Sequence, residues 1–258
     1  MIDTHNHLLP GLDDGAKDIK ESLDMCRMAA ADGIRVIVAT PHSFDGKFLN
    51  GADAIRSLVR ELNIELASIG LEVTILPGME VRVTADLPQL ISEGKVLPLN
   101  EGQYVLLEFH HSQIPIGFEY LARALVSLGF FVILGHPEKN AMIQSRPEYL
   151  FKLLKHLRPW ELVVQVSADS LTGENGFWAR RTVTTLLKHN LAHIIATDAH
   201  SSSKRVPRLS EAVKVASRLV GKENAMKMVQ EIPKAVLEGG VFPEIWEPTD
   251  PRRWWRIL

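Results

Sequence analysis

One cysteine in 258 residues, no apolar run long enough to cross a bilayer, and no massed block of either charge are what this sequence most plainly lacks. A lone thiol, Cys26, excludes an internal disulfide and suits a reducing compartment. It also excludes the Cys-x5-Arg loop with which cysteine phosphatases surround a phosphate, because the sixth residue after Cys26 is Asp32. Cys26 shares an apolar helical stripe with Ile19, Leu23 and Ala30, which reads as a buried structural thiol. His5 stands where a signal peptide would be apolar, so the expected location is the cytoplasm. A net charge of −2 with scattered Lys and Arg argues against a duplex-binding groove, and no nucleic acid partner is expected.

What is present begins with a 46% hydrophobic composition, enough for one large core at this length. Apolar runs at 1–5, 34–39, 73–77, 104–109, 130–134, 162–166 and 193–196 read as seven strands. Helical patterns lie between them. The first opens with Asp18 and Glu21 as a capping pair and stops at Gly33; the second carries Ile55, Leu58, Val59, Leu62, Leu66 and Ile69 and stops at Gly70. Later helices are expected over 118–127, 147–156, 177–188 and 210–220. Repeated strand-helix units predict parallel strands with right-handed crossovers, hence an α/β fold: an irregular seven-stranded β/α barrel over residues 1–240. Residues 241–258 change composition to a Pro/Trp/Arg tail without periodicity.

In such a barrel each strand delivers its last residue to one mouth, the C-terminal face. Candidate metal ligands recur there about one strand-helix unit apart: His5 and His7, His42, Glu80, Glu108, His136, then Asp198 and His200. Residues two apart on a strand point the same way, so both members of His5-Asn6-His7 and of Asp198-Ala199-His200 can face inward. Taken singly, each motif has a bland reading. His-x-His arises by chance, Asp13-Asp14-Gly15 is ordinary turn chemistry, His42 and His136 could be packing histidines, and Glu80 and Glu108 could pair with a lysine. Six such sites on one predicted face would require six separate accidents, and the joint reading is a polynuclear metal enzyme.

These residues resemble the polymerase and histidinol phosphatase (PHP) superfamily of trinuclear metal phosphoesterases. Met1 to Gly15 (MIDTHNHLLPGLDDG), Ala39-Thr40-Pro41-His42, Leu76-Pro77-Gly78-Met79-Glu80 and Ala196 to His200 resemble its branch of bacterial protein-tyrosine phosphatases tied to capsule and exopolysaccharide production. That resemblance implies one metal held by His5, His7, Glu80 and Asp198, and a second held by the bridging Glu80 with Glu108 and His136. A third falls to Asp14, His42 and His200. Three divalent ions against four carboxylates leave positive charge for a phosphate and a hydroxide that attacks phosphorus directly. Imidazole and carboxylate ligands without thiolate suit Mn, Fe, Co or Zn, with manganese preferred. The resemblance further implies a phosphate clamp at Arg205 and the phosphotyrosine tail of a bacterial tyrosine kinase as substrate. At the leaving phenolate the third metal and an acid such as His42 or His200 could share the stabilisation, with direct metal assistance preferred because metal-bound histidines are poorer acids.

Lys139 departs from the branch, which usually has arginine after the His136-Pro137-Glu138 turn; lysine keeps the charge but not the two-pronged grip. His110 and His111 read as solvated loop residues near the mouth, and His156, His189 and His193 as structural. Arg252, Arg253, Trp254, Trp255 and Arg256 could touch a membrane surface weakly, at the inner face of the plasma membrane, although packing on the barrel or on a neighbouring subunit is the simpler expectation. Alternatives to the tyrosine phosphatase are a histidinol-phosphate or other small-molecule phosphatase with the same metals, and a metal-bound scaffold that regulates a kinase without turnover. A metallo-amidohydrolase is disfavoured because Glu80 takes the bridging place of its modified lysine.

Overall fold

The structure is a computed structural model that describes residues 1–239, 242 and 247–254. Its strands are β1 (Ile2–Asn6), β2 (Val36–Ala39), β3 (His42–Ser43), β4 (Thr74–Pro77), β5 (Glu80–Arg82), β6 (Tyr104–Glu108), β7 (Phe131–Gly135), β8 (Leu162–Ser167) and β9 (Ile194–Ala196). All pair in parallel, in the orders β1-β2-β4 and β3-β5-β6-β7-β8-β9. The two sheets meet where β1 runs beside the exit of β9. There the Asp198 N–H donates to the His5 carbonyl and the His7 N–H to the Ala199 carbonyl, each at 2.9 Å.

The α/β barrel is therefore as expected, but the count of seven strands is corrected to nine short ones among the described residues. Each of the seven apolar runs forms a strand, and β3 and β5 are additional, following β2 and β4 after breaks of two residues. Pro41, in the first break, has no N–H for a ladder. At Gly78, in the second, a Cβ would stand 2.7 Å from Leu99 Cδ2 and 3.0 Å from Val38 Cγ1, so the backbone passes too close for any side chain. The restarted pairing places His42 opposite Glu80, and Arg82 opposite Glu108.

The six expected helices appear at Ile19–Ala31, Ala52–Ser68, Phe118–Ser127, Glu148–His156, Gly176–Lys188 and Ser210–Val220. Asp18 Oδ1 accepts the Glu21 N–H at 2.9 Å, and Gly33 ends the first helix at φ +88°, a backbone conformation that costs glycine little. One larger cluster packs these helices on the outer strand faces and includes Met25, Cys26 and Ala29 of the first helix with Ile37, Ile75 and Val105 of the strands. A second fills the barrel: Val38, Leu106, Ile133, Val163 and Ile194, closed below by Ile232, Val236 and Leu237 of helix Glu231–Glu238. That helix was not expected from the sequence. It holds Pro233 in its first turn, where a missing N–H breaks no helical bond.

Part of the expected tail lies on the barrel: the Thr249 N–H donates to the His189 carbonyl at 2.9 Å and Asn190 Nδ2 to the Glu247 carbonyl at 3.0 Å. Trp255 and Arg256, on which the membrane reading partly rests, lie outside the described residues. Among the described residues no helix is long and apolar enough to cross a membrane.

Candidate metal centre

The strand ends and the loops that follow them bring all nine expected ligands to one mouth, Asp14 from the loop after β1. His5 ends β1 with Asn6, His7 follows it, His42 and Glu80 open β3 and β5, Glu108 closes β6 and His136 follows β7. Asp198 and His200 arrive differently from the expectation. β9 ends at Ala196, so they lie in the loop beyond it rather than on a strand, and Asp198 sits at φ +54°. His136 and Arg205 are also left-handed, at φ +31° and +49°. Such conformations are costly for residues with a Cβ and concentrate at functional sites.

The ring nitrogens converge. His5 Nε2 lies 3.2 Å from His7 Nε2, 3.3 Å from Glu80 Oε2 and 3.5 Å from Asp198 Oδ1. His7 Nε2 lies 3.4 Å from Glu80 Oε2 and 3.6 Å from Asp198 Oδ1. Around an ion with bonds of about 2.1 Å, neighbouring ligand atoms are separated by ~3.0 Å in an octahedron and ~3.4 Å in a tetrahedron, and the observed spacings have that size. Potential ligand atoms fall into four overlapping groups: His5, His7, Glu80; His5, His136, Asp198; His42, Glu80, Glu108; and His7, Asp14, His42, His200. This differs from the set implied by resemblance in placing His136 with His5 and Asp198, His42 with Glu80 and Glu108, and His7 also with Asp14, His42 and His200, although His136 Nε2 is 2.8 Å from Glu80 Oε1.

The far side of each ring fixes which nitrogen faces inward. His7 Nδ1 meets Asp13 Oδ2 at 2.6 Å, His5 Nδ1 meets Gln165 Oε1 at 2.8 Å, and His200 Nδ1 meets the Asp198 carbonyl at 3.0 Å. A proton on each Nδ1 leaves the Nε2 lone pair for a cation. His42 Nδ1, Glu80 Oε2 and His200 Nε2 are buried without a well-aligned hydrogen bond, with His42 Nδ1 at 3.0 Å from Glu80 Oε2 and His200 Nε2 at 3.5 Å from Asp14 Oδ1, a crowding of ligand atoms that bound ions relieve. The donor set thus fits divalent metal.

Charge balance agrees. Burial alone would raise the Glu80 pKa, yet facing His5, His136 and His42 hold it well below the carboxylate range; Asp198 is held down likewise by Lys139 and His5. Burial opposes the charged form of His7, but Asp13, with Asp198 and Glu80, raises it well above the ordinary value. Burial, reinforced by His7, pushes His200 down to about 4. Against the effect of burial, Glu80 also raises His42 and His136, so the carboxylates of the cluster favour a positive charge among the rings.

Over the cluster opens a cleft of about 330 Å³ lined by Asp14, Phe48, Arg82, His111, Lys139 and Arg205 among others. Arg205 bonds Asp198 Oδ1 at 2.7 Å and Lys139 bonds the other oxygen, so both expected phosphate-binding cations stand at the ligand edge. His110 and His111 are both exposed; His111 lines this cleft, and His110 bonds Ser112. His193 accepts the Val164 N–H, His189 bonds Thr249, and His156 faces Glu119, all away from the mouth.

Four residues at the site escaped the sequence reading. Asp13 is no mere turn residue: its side chain is fully buried while that of Asp14 is 51% exposed, and it braces His7. Gln165 braces His5 and passes a hydrogen bond to Thr4 Oγ1 at 2.7 Å. Arg82 bonds Glu108 Oε1 at 2.6 Å, and Phe48 stacks near His42. Only Arg82 had a signal, its place two residues after Glu80 on a strand.

A parallel β/α barrel whose mouth gathers histidines and carboxylates in metal-ligand spacing is a metal-dependent hydrolase by fold and site. The chain belongs to the CpsB/CapC family of capsular polysaccharide synthesis, which matches residues 1–238. It is 32% identical over 253 residues to the tyrosine-protein phosphatase YwqE of Bacillus subtilis, covering 98% of both chains. A chain from the crystal structures of YwqE and of CpsB from Streptococcus pneumoniae, metal-dependent tyrosine phosphatases, superposes with a TM-score of 0.91 at 32% identity, covering 97% of this chain and 99% of that one. Histidinol phosphate phosphatase of Lactococcus lactis shares the fold at a TM-score of 0.55 and 14% identity, with 97% of each chain covered.

Proposed function

We propose that the protein is a metal-dependent protein-tyrosine phosphatase of capsule or exopolysaccharide synthesis, acting in the cytoplasm on the phosphotyrosine tail of a bacterial tyrosine kinase. The observation that carries this reading is the convergence of nine ligand side chains, most of them buried, beneath a cleft edged by Lys139 and Arg205. His5, His7, Asp14, His42, Glu80, Glu108, His136, Asp198 and His200 would hold three divalent ions, manganese by preference, since oxygen and imidazole donors without thiolate suit it. When bound, these ions supply Lewis-acid polarisation of the phosphoryl group and a water acidic enough to attack it at neutral pH.

The chain's own residues do the rest. Arg205 and Lys139 turn from Asp198 toward the phosphate dianion, Arg205 gripping two oxygens and Lys139 acting as a point charge. Asp13, Gln165 and the Asp198 carbonyl hold His7, His5 and His200 in one tautomer. His42 and His200 stand beside the leaving phenolate. Cys26 takes no part, because it is fully buried in the outer core and burial pushes its thiol up to about 12.

The test is hydrolysis of a phosphotyrosine peptide by wild type, chelator-stripped and Mn-restored protein, and by Arg205→Ala. Activity should vanish with chelator, return with Mn, and fall roughly 100-fold in Arg205→Ala, as for loss of one transition-state donor. Chelator-resistant turnover would overturn the proposal.

A further inference from the structure

We infer that Phe48 is the aryl-binding wall of the cleft, the residue that favours an aromatic phosphate ester over an alkyl one; this rests on the tyrosine phosphatase reading and extends it to specificity. Among the described lining residues Phe48 is the one with a carbocyclic ring, in a cleft otherwise lined by carboxylates, an asparagine, the cations of Lys47, Arg82, Lys139 and Arg205, and imidazoles. Its ring lies nearly parallel to that of His42, at 7° and 6.0 Å between centroids, so it stands beside the ligand cluster rather than out on the rim. A phosphate held by Arg205 and Lys139 would therefore leave its ester substituent within reach of an apolar, flat surface. Aromatic rings prefer such offset neighbours, whereas a seryl or amino-alcohol chain gains little from them.

The loop that presents Phe48 is built and not loose. Asp45 Oδ1 accepts the N–H groups of Lys47 at 2.8 Å and Phe48 at 2.7 Å, and the Phe44 N–H donates to the Phe48 carbonyl at 3.0 Å. Gly46 at φ +90° permits the reversal, and Phe44 accepts a left-handed φ of +56° to complete it. Two backbone bonds to one carboxylate and a closed turn fix the backbone that carries the ring before substrate arrives, which lowers the ordering cost of binding. Lys47 Nζ lies over the Phe48 ring, 4.4 Å from its centroid. The lysine side chain is exposed and its hold on the ring weak, so an aryl group can take its place and leave the ammonium near the phosphopeptide.

The experiment is equilibrium binding of phenylphosphonate and methylphosphonate to the Mn-loaded protein by calorimetry, for wild type, Phe48→Leu, Phe48→Ala and Phe48→Tyr, with phosphotyrosine-peptide turnover of wild type alongside. The ratio of the two dissociation constants cancels differences in metal loading and in correctly folded fraction between variants. Wild type should prefer phenylphosphonate, Phe48→Leu and Phe48→Ala should lose about 3–10-fold of that preference, and Phe48→Tyr should keep it. An unchanged ratio in Phe48→Leu overturns the inference even if the peptide is hydrolysed. Absence of peptide turnover in wild type overturns the phosphatase reading instead, whatever the phosphonates do.

Discussion

Replacing Asp13 with asparagine exchanges a single atom of a buried carboxylate, and it tests whether the residues behind the cluster set its metal affinity. Asp13 Oδ2 meets His7 Nδ1 at 2.6 Å and accepts the His42 N–H at 2.9 Å, while Oδ1 accepts the Gly15 N–H at 2.9 Å. All three partners donate, and an amide offers an acceptor on one side only. If the new nitrogen faces Gly15, two donors oppose each other in a buried place. If it faces His7, it favours the other imidazole tautomer and puts a proton on Nε2, the atom 3.2 Å from His5 Nε2 and 3.4 Å from Glu80 Oε2. Either arrangement weakens ion binding, and loss of such an orienting partner typically costs 10–100-fold in affinity, about 1.4–2.7 kcal/mol. The assay is competition for Mn against a chelator of known affinity, with bound metal counted by mass spectrometry and the fold checked by circular dichroism. Asp14→Asn supplies the contrast. Asp14 pairs with His42 and His200, at 3.6 and 3.5 Å, in one ligand group of the cluster, so its loss should lower the number of tightly held ions rather than the affinity of all. Affinity in Asp13→Asn within twofold of wild type would refute the reasoning.

Gly15→Ala should cost roughly 2–4 kcal/mol and most of the bound metal, because the added Cβ would fall 1.9 Å from the His7 carbonyl oxygen; an unchanged melting temperature and metal content would contradict this. Cys26→Ala should lose about 1 kcal/mol from a small cavity, and kcat should stay at the wild-type value; a large fall in kcat would return the thiol to the mechanism. Stability should depend on acid through His193, whose pKa burial pushes down to about 4 from 6.5. The unfolded chain takes up its proton first as pH falls, so this contribution is intact above about 6.5 and is lost progressively down to about 4, by roughly 3 kcal/mol. Urea unfolding of wild type and His193→Gln at pH 7 and pH 5 checks it, and identical pH slopes would sink the idea.

Strand-end chemistry was legible because most of the ligands sit beside an apolar run whose period and length survive on their own: Glu108 ends Tyr104–Glu108, and His136 follows Phe131–Gly135. The Asp18 cap and Gly33 stop were legible for the same local reason. What could not be read depends on distant partners. β3 and β5 have two and three residues, too short for any period, and exist because a proline and a close approach at Gly78 break longer strands. Helix Glu231–Glu238 carries Pro233, a breaker signal that its place in the first turn disarms. Asp13-Asp14-Gly15 has turn composition whether or not a histidine leans on it. Gln165 meets His5 across 160 residues, and no local pattern announces that contact.

The central claim, that this metal cluster hydrolyses phosphotyrosine, is tested most directly by kcat/KM for a phosphotyrosine peptide and for histidinol phosphate, side by side on Mn-loaded protein with and without chelator. The account predicts a preference for the peptide and loss of both activities when metal is removed. Preference for histidinol phosphate would contradict the proposed substrate, and failure to turn over either compound with metal bound would contradict the enzyme.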